Sequence, residues 1–240
     1  MAAPRQETGT EAPACAVHAE RRLRADAERN RAAILAAARE VFAEQGLKAP
    51  LEEIAVRAGV GIATLYRRFP AREHLVAAAL IDKVTAYAQA AERALADPDP
   101  WAGFAGYVHR ICELQADDRG LADLLSMALP ADEQVEQIRA RAHGTADKLV
   151  ERAKAAGALR ADFATEDLLI LLIANAAVAH VTRTDAPQAW RRFVALALDA
   201  FRRPPARPEP ALPLPAPAST EQMSLAMLRL ARERGCGSDT

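Results

Sequence analysis

The chain has 240 residues, of which 51% are hydrophobic and only 5% are aromatic. This composition excludes a largely disordered chain, and the abundance of alanine favours closely packed helices over a β-sandwich. The net charge of −1 argues by itself against a nucleic-acid binder. Residues 21–72, however, contain eleven basic and six acidic side chains, a net charge of +5. The N-terminal part is therefore basic on an otherwise acidic chain.

The cysteines and the apolar runs indicate the compartment. Cys15, Cys112 and Cys236 are odd in number and far apart, so they predict neither a disulfide framework nor a zinc knuckle, and they fit a reducing cytoplasm. The first twenty residues lack the apolar centre of a signal peptide. The most apolar run, residues 168–179, is interrupted by Asn175 and is too short to span a bilayer. A cytoplasmic protein without a membrane partner is predicted.

The chain begins with a polar arm and an amphipathic helix. Residues 1–22 lack an apolar period and are predicted to be a disordered arm. Between residues 27 and 45 apolar side chains recur on one face of a helix. The residues on this face are Ile34, Ala38, Val41 and Phe42. Gly46 is typical of the end of such a helix.

Two short helices and a glycine turn follow. The pattern predicts helices over residues 51–58 and 62–69, joined by a turn at Gly59-Val60-Gly61. With the first helix they form a trihelical helix-turn-helix unit that reads DNA, assigned to residues 23–72.

The last of these helices carries the DNA-facing side chains. Leu65 and Phe69 are four residues apart and are predicted to pack inward, which turns Tyr66 and Arg67 outward. A tyrosine beside two arginines on so short a helix is suited to phosphates and base edges.

The remainder is predicted to be helical as far as residue 203. The expected helices cover residues 71–95, 101–116, 119–128, 132–156, 165–182 and 186–203. Residues 204–218 are rich in proline and predict an extended linker. Residues 219–240 form a tail with a possible short helix from Ser219 to Arg234, capped by Ser219. No window shows sustained strand alternation, so the fold class is predicted to be all-α.

Two stretches of sequence resemble a known family. AGVGIATLYRRFPAREHL (58–75) resembles the recognition-helix signature of the tetracycline-repressor (TetR) family, and ILAAAREVFAEQG (34–46) resembles its first helix. The resemblance covers residues 27–80. It implies an N-terminal DNA-binding domain followed by an all-helical ligand-binding and dimerisation domain at 73–203. It further implies a homodimeric repressor that binds double-stranded operator DNA and leaves it when a small-molecule effector binds.

The resemblance also assigns DNA contacts. Tyr66 resembles the phosphate-contacting tyrosine of the family, and Arg72 matches the basic residue at the start of the fourth helix. The full set of predicted DNA-binding residues is Arg24, Arg57, Gly61, Ile62, Thr64, Tyr66, Arg67, Arg68 and Arg72. Ala49 and Pro50 stand where the family often has a hydroxyl cap, Gly61 replaces a common serine, and Ala63 stands where glycine is frequent. These departures leave the operator sequence unreadable.

Three of these assignments stay open from the residues alone. Arg24, with Arg21 and Arg22, fits either a minor-groove arm or a solubilising tail. Ile62 fits either contact with a thymine methyl or packing into its own domain. Arg57 fits a phosphate contact or an intramolecular salt bridge.

The predicted effector contacts lie in the helical body. They are Trp101, Phe104, Tyr107, His109, Met127, His143 and Asn175, with Cys112 and His180 as further candidates. Aromatic residues at helical spacing are equally typical of a core, whereas an amide such as Asn175 in an apolar helix must be hydrogen-bonded to ligand, water or a partner subunit. His109 and Cys112 are three residues apart, but two ligands without a third do not predict a metal. The helices at 165–182 and 186–203 resemble the family's dimerising pair.

The sequence also bears on functions other than repression. The sequence has no phosphate-binding glycine loop and no recognisable catalytic constellation, so we expect no enzymatic activity and no cofactor. A constitutive DNA-binding or architectural protein, whose body only dimerises, is the alternative. Activation in place of repression is compatible with every residue.

Overall fold

The structure is a computed structural model that describes residues 13–126, 133–202 and 218–233. These described residues form ten helices and no β-strand, so the prediction of an all-α fold is confirmed. The helices are α1 (Pro13–Gln45), α2 (Leu51–Arg57), α3 (Ile62–Arg68), α4 (Arg72–Leu95), α5 (Pro100–Asp117), α6 (Arg119–Ser126), α7 (Glu133–Ala155), α8 (Thr165–Thr182), α9 (Ala189–Phe201) and α10 (Thr220–Glu233).

The N-terminal end of α1 corrects one prediction. The helix begins at Pro13, so the disordered arm predicted for residues 1–22 is wrong for residues 13–22. Alanine, glutamate and arginine dominate this stretch and favour a helix by intrinsic propensity, which needs no apolar period. Residues 1–12 of the predicted arm lie outside the described residues.

The C-terminal helix begins where its cap was expected. Ser219 Oγ accepts a hydrogen bond of 3.2 Å from the backbone N–H of Gln222, and the Gln222 side chain accepts one of 2.9 Å from the backbone N–H of Ser219. This reciprocal pair is a capping box, which stabilises the first turn. The Thr220 hydroxyl lies 2.5 Å from Glu166 Oε1, so α10 begins beside the first turn of α8. The proline-rich linker predicted for 204–218 lies almost entirely outside the described residues.

The first three helices share one small core. The apolar face predicted on α1 is fully buried, and it belongs to the same core as Ile54 of α2 and Leu65 of α3, which are also inaccessible to solvent. Gly46 ends the helical path of α1 with a φ of +82°, a left-handed conformation that glycine adopts without strain. The chain can then turn sharply into α2.

The body is a bundle around α4, α5 and α8. Helix α4 packs along α7 and α5, and α5 packs in turn on α8 and α9. Edge-on aromatic contacts close one end of the bundle: the ring of Phe163 lies 5.6 Å from that of Phe104 and 4.8 Å from that of Phe201. These rings join α5, the segment before α8 and α9 into one unit.

Helix α8 is the most apolar helix. Among the described residues it alone is long and apolar enough to cross a membrane by length and composition. A core helix of a bundle passes the same test, and α8 packs on α5, α6 and α9 with Asn175 fully buried.

Short contacts join the N-terminal helices to the body through α6. An added Cβ at Gly120 would lie 3.0 Å from Cβ of Phe42 and 3.1 Å from its carbonyl oxygen, so α6 lies directly on α1. Arg119 Nη1 donates to the Glu44 carbonyl at 3.2 Å. Asp123 Oδ2 accepts from the Leu47 N–H at 2.9 Å. The end of α1 is thus held by α6.

Candidate functional site

The turn between α2 and α3 sets the position of the third helix. Gly59 has a φ of +66°, which favours glycine. The N–H of Val60 donates to the Ala55 carbonyl at 3.0 Å, and the N–H of Thr64 donates to the Gly61 carbonyl at 2.8 Å. The chain therefore leaves one short helix and starts the next within a few residues, as a helix-turn-helix requires.

Helix α3 has one buried and one exposed side. Leu65 and Phe69 are buried, and the guanidinium of Arg31 on α1 lies 5.7 Å from the Phe69 ring centroid. Tyr66 is 46% exposed, and Arg67 and Arg68 are exposed beside it. Within the described ranges neither arginine takes part in an ion pair with a carboxylate; Arg67 is 3.5 Å from the Thr64 hydroxyl. This side of α3 therefore presents a phenol and two guanidinium groups to solvent.

The residues that open α3 lie close to this surface. Gly61 is the N-cap residue in an extended conformation, and an added Cβ would meet nothing within 4 Å. Thr64 is half-buried. Ile62 is also half-buried and packs against the core, which favours its packing interpretation over a free contact surface.

Arg57 is held by the protein itself. Its guanidinium lies 3.0 Å from Glu44, 3.3 Å from Glu53 and 3.8 Å from Glu40. Three carboxylates around one cation leave it no net positive charge to offer a phosphate. Of the two interpretations of Arg57, the structure favours the salt bridge. Arg24 is an exposed residue of α1.

Arg72, expected to contact DNA, is instead bonded to the protein backbone. Its Nη1 donates to the carbonyl oxygens of Leu47 at 2.9 Å and Ala49 at 2.8 Å. Both carbonyls belong to the segment between α1 and α2. The side chain therefore connects the start of α4 to the entry of α2, and its contact with DNA stays a prediction.

Two of the predicted effector residues line an internal cavity. Tyr107 and His143 border a cavity of about 20 Å³ between α4, α5, α7 and α8, together with Tyr87. This volume is about that of one water molecule. The hydroxyls of Tyr107 and Tyr87 are 3.4 Å apart, and burial raises the pKa of Tyr107 well above its usual value.

Three other predicted effector residues have the contacts of core side chains. Phe104 is fully buried, and its ring lies 5.8 Å from that of Trp101. The guanidinium of Arg202 covers Trp101 at 4.6 Å. His109 lies 5.4 Å from the ring of Trp190. Met127 lies outside the described residues.

Asn175 belongs to a buried chain of polar groups. Its Nδ2 donates to the Cys112 carbonyl at 3.2 Å and to Gln115 Oε1 at 3.0 Å, and Gln115 Nε2 lies 3.5 Å from Ser126 Oγ. The Oδ1 atom of Asn175 has no partner among the described residues. Burial raises the pKa of the Cys112 thiol to about 12, so it is a neutral core group. No group of three metal-binding side chains occurs in the described part of the chain.

Some of these contacts could not be predicted from the sequence. Tyr87 carries the same aromatic signal as Tyr107, but only the packing of α4 on α5 pairs the two. Gln115 and Asp123 are ordinary polar residues in sequence, and nothing local distinguishes them from exposed ones. Their partners, Asn175 and Leu47, are 60 and 76 residues away.

Aliphatic side chains lie exposed on α8 and α9. Val181 is 76%, Leu196 60% and Ile170 48% exposed. Beside them, Phe193 and Ala197 are half-buried and line a groove with Ile170. An apolar surface spread over two adjacent helices is typical of an interface with another chain.

Two protein families match this chain, one in its N-terminal part and one in its helical body. The family described as "Bacterial regulatory proteins, tetR family" matches residues 34–79. The family described as "Transcriptional regulator SbtR-like, C-terminal domain" matches residues 99–203. None of the curated proteins matches the chain.

Solved structures give relatives over nearly their whole length. A TetR transcriptional regulator from Streptomyces coelicolor is 34% identical, with 72% of this chain and 98% of that chain covered and a TM-score of 0.47. A TetR regulatory protein from Mycobacterium vanbaalenii is 33% identical, with 75% and 99% covered and a TM-score of 0.45. A tetR-family protein from Rhodococcus RHA1 is 22% identical, with 72% and 96% covered and a TM-score of 0.50. On the sequence identity to the first two, together with the two family matches, this chain belongs to the TetR family of transcriptional regulators.

Proposed function

We propose that the protein is a cytoplasmic, homodimeric repressor that binds a specific operator in double-stranded DNA and leaves it when a small-molecule effector binds its helical body. The observation that carries the DNA-binding part is the exposed side of α3. Tyr66, Arg67 and Arg68 face solvent there, while Leu65 and Phe69 hold the helix on its domain. Gly61, Thr64 and Ile62 flank this surface.

On such a surface, contacts to phosphates position the helix and contacts to bases give sequence specificity. A tyrosine hydroxyl and arginine side chains hydrogen-bond to phosphate oxygens and fix the register of the helix in the major groove. An arginine can also donate two hydrogen bonds to guanine, which supplies sequence discrimination. Arg67 and Arg68 are suited to either task because no carboxylate among the described residues neutralises them.

The exposed surface of α8 and α9 supports dimerisation. A second copy packed on the same two helices would form a four-helix bundle across a two-fold axis and cover Val181 and Leu196. Two α3 helices would then be presented together, and successive major grooves on one side of DNA are about 34 Å apart.

Release of DNA follows if effector binding changes the position of α6. Through Arg119, Gly120 and Asp123, α6 contacts the end of α1 and the segment that follows it. A shift of α6 is therefore passed to α2 and α3. Two recognition helices that no longer match the groove spacing lose affinity, provided that the effector binds the shifted conformation more tightly.

Replacing Tyr66 with alanine is expected to weaken operator binding about tenfold without changing the melting temperature. A hydrogen bond to a charged group contributes about 1.5–3 kcal/mol, and 1.4 kcal/mol corresponds to a factor of ten. The measurement is binding of genomic fragments by the purified dimer, titrated over salt concentration. Selective, steeply salt-dependent binding of one palindromic fragment is expected.

Tyr66→Phe is the matched control because it removes only the hydroxyl. If the hydroxyl contacts a phosphate, Tyr66→Phe loses most of the affinity that Tyr66→Ala loses. Equal and weak binding of every fragment by the wild-type protein contradicts a sequence-specific repressor and favours an architectural DNA-binding protein.

Replacing Leu196 with glutamate is expected to convert the dimer to a monomer. A charge at the centre of an apolar interface must be desolvated without a partner, which strongly disfavours association. Sedimentation velocity of the variant and the wild type at equal concentration measures the change. Val56→Glu on α2, where the side chain is 80% exposed, is the control and should leave the dimer intact. A dimeric Leu196→Glu protein would place the interface elsewhere.

A further inference from the structure

A second and much larger cavity lies where the N-terminal helices meet the body. It has a volume of about 450 Å³ and lies between the end of α1, α6 and α8. Small-molecule sites in proteins have volumes of about 300–1,000 Å³. Among the described residues predicted from the sequence to contact the effector, His180 lines this cavity, and the internal cavity at Tyr107 is more than twenty times smaller.

The two sides of this cavity differ in chemistry. The α8 side is largely aliphatic and includes Ile173 and Ala176. Lys48, in the segment between α1 and α2, and Arg119 of α6 also line it, and Arg183 lies at the end of α8. A molecule that fills this space therefore meets aliphatic side chains of α8 and three cationic side chains.

The charges that line the cavity favour an anion. Among the described lining residues, Lys48, Arg119 and Arg183 face one carboxylate, that of Asp123, a formal net charge of +2 in which histidine is not counted. Asp123 also accepts the Leu47 N–H, so part of its hydrogen-bonding capacity is used within the protein. Arg119 and Arg183 are each oriented by one backbone carbonyl, at 3.2 Å in both cases, and retain further N–H donors for a ligand.

The inner end of the cavity is polar and deeply buried. Gln115 and Ser126 line it, and their exposures are 1% and 4%. Gln115 Oε1 accepts a hydrogen bond from Asn175 Nδ2, which orients the Gln115 side chain. Asn175 Oδ1 has no partner among the described residues. Ser126 can therefore exchange its long 3.5 Å contact with Gln115 for a shorter hydrogen bond to a bound molecule.

The geometry points to this cavity as the binding site of an amphipathic organic anion, a molecule with an aromatic or aliphatic body and one carboxylate or similar group. The apolar body lies against α8, and the anionic group lies between Lys48 and Arg183. The identification of this anion as the effector rests on the proposed repressor function. The bound anion would lie between α6 and Lys48. It would therefore strain the hydrogen bond from the Leu47 N–H to Asp123.

The test uses 2-naphthoate as the probe and the full-length protein without DNA. Isothermal titration calorimetry is expected to show one naphthoate bound per chain, two per dimer. The cationic analogue 2-naphthylmethylamine, which has the same ring system, is expected not to bind. The double variant Lys48→Gln/Arg183→Gln should bind naphthoate about a hundredfold more weakly, since each lost charge-assisted hydrogen bond costs about a factor of ten.

Two control variants test whether naphthoate affinity depends on this site or on the protein's overall charge and the other cavity. Arg93→Gln/Lys148→Gln removes two exposed cations from α4 and α7 and should leave naphthoate affinity unchanged. Tyr107→Phe alters the internal cavity and should also leave it unchanged. Equal binding of acid and amine, no binding of naphthoate at millimolar concentration, or a loss confined to Tyr107→Phe overturns the proposal.

A second measurement keeps the site distinct from the repressor function. Operator affinity is measured with and without saturating naphthoate. Naphthoate that binds as expected and leaves operator affinity unchanged supports the site but contradicts release by this ligand. Failure of naphthoate to bind, in a protein that still binds its operator selectively, overturns the site and leaves the DNA-binding function standing.

Discussion

Replacing Phe69 with alanine is expected to lower the free energy of unfolding of the N-terminal domain by about 3–5 kcal/mol. The ring is 4% exposed, belongs to the core formed with α1, and lies under the guanidinium of Arg31. Its loss leaves a cavity that the first three helices cannot close without moving α3. Urea denaturation followed by far-ultraviolet circular dichroism measures the effect, at a fixed protein concentration because the proposed dimerisation would link stability to concentration.

Tyr66→Ala is the matched control for this experiment. It removes a ring of similar size from the same helix, three residues earlier, but from the exposed side, and a surface substitution of this kind changes stability by no more than about 0.5 kcal/mol. The two variants thus separate support of the helix from contact with DNA. Wild-type stability in Phe69→Ala would mean that α3 is rotated from the orientation described.

Replacing Gly103 with alanine should have the second large effect. An added Cβ would overlap the carbonyl oxygen of Ala94 and lie 3.2 Å from Cβ of Asp97. The obstacle is backbone at the end of α4, so α5 must move away from α4 as a whole. Overpacking of this kind costs about 1–3 kcal/mol, and it outweighs the gain of up to about 1 kcal/mol that alanine brings to a helix interior.

Gly106 supplies the control from the same helix. It lies three residues later in α5, and an added Cβ there would meet nothing within 4 Å. Gly106→Ala should therefore stabilise the protein by about 0.5–1 kcal/mol through helix propensity alone. Thermal unfolding of both variants should show shifts of opposite sign. Two shifts of the same sign would contradict the close approach of α5 to α4.

Local periodicity was sufficient to predict most helices of this protein. The apolar face of α1, the glycine turn and the i, i+4 spacing of Leu65 and Phe69 are properties of short stretches, and the helices fold as these stretches indicate. The exposed side of α3 follows from the same spacing. The error at residues 13–22 has the opposite origin, since propensity extends α1 where no apolar pattern exists.

The partners of charged residues could not be predicted in this way. Arg57 and Arg72 look in sequence like any surface cation near a recognition helix. Apart from Glu53, four residues before Arg57 on α2, their carboxylates and carbonyls come from α1 and from the segment before α2, up to 25 residues away. The large cavity is less predictable still, because its walls come from α1, α6 and α8 and exist only after the two parts of the chain have packed together.

The placement of the aromatic residues has a practical result for spectroscopy. Both tryptophans, Trp101 and Trp190, lie in the body, on α5 and α9, and each is covered by an arginine. Intrinsic tryptophan emission therefore reports on the body alone, without a label. Partial melting of the N-terminal domain, as in a Phe69 variant, reduces helical ellipticity while emission stays constant. Ellipticity and tryptophan emission, measured together, therefore show which of the two parts of the protein unfolds first.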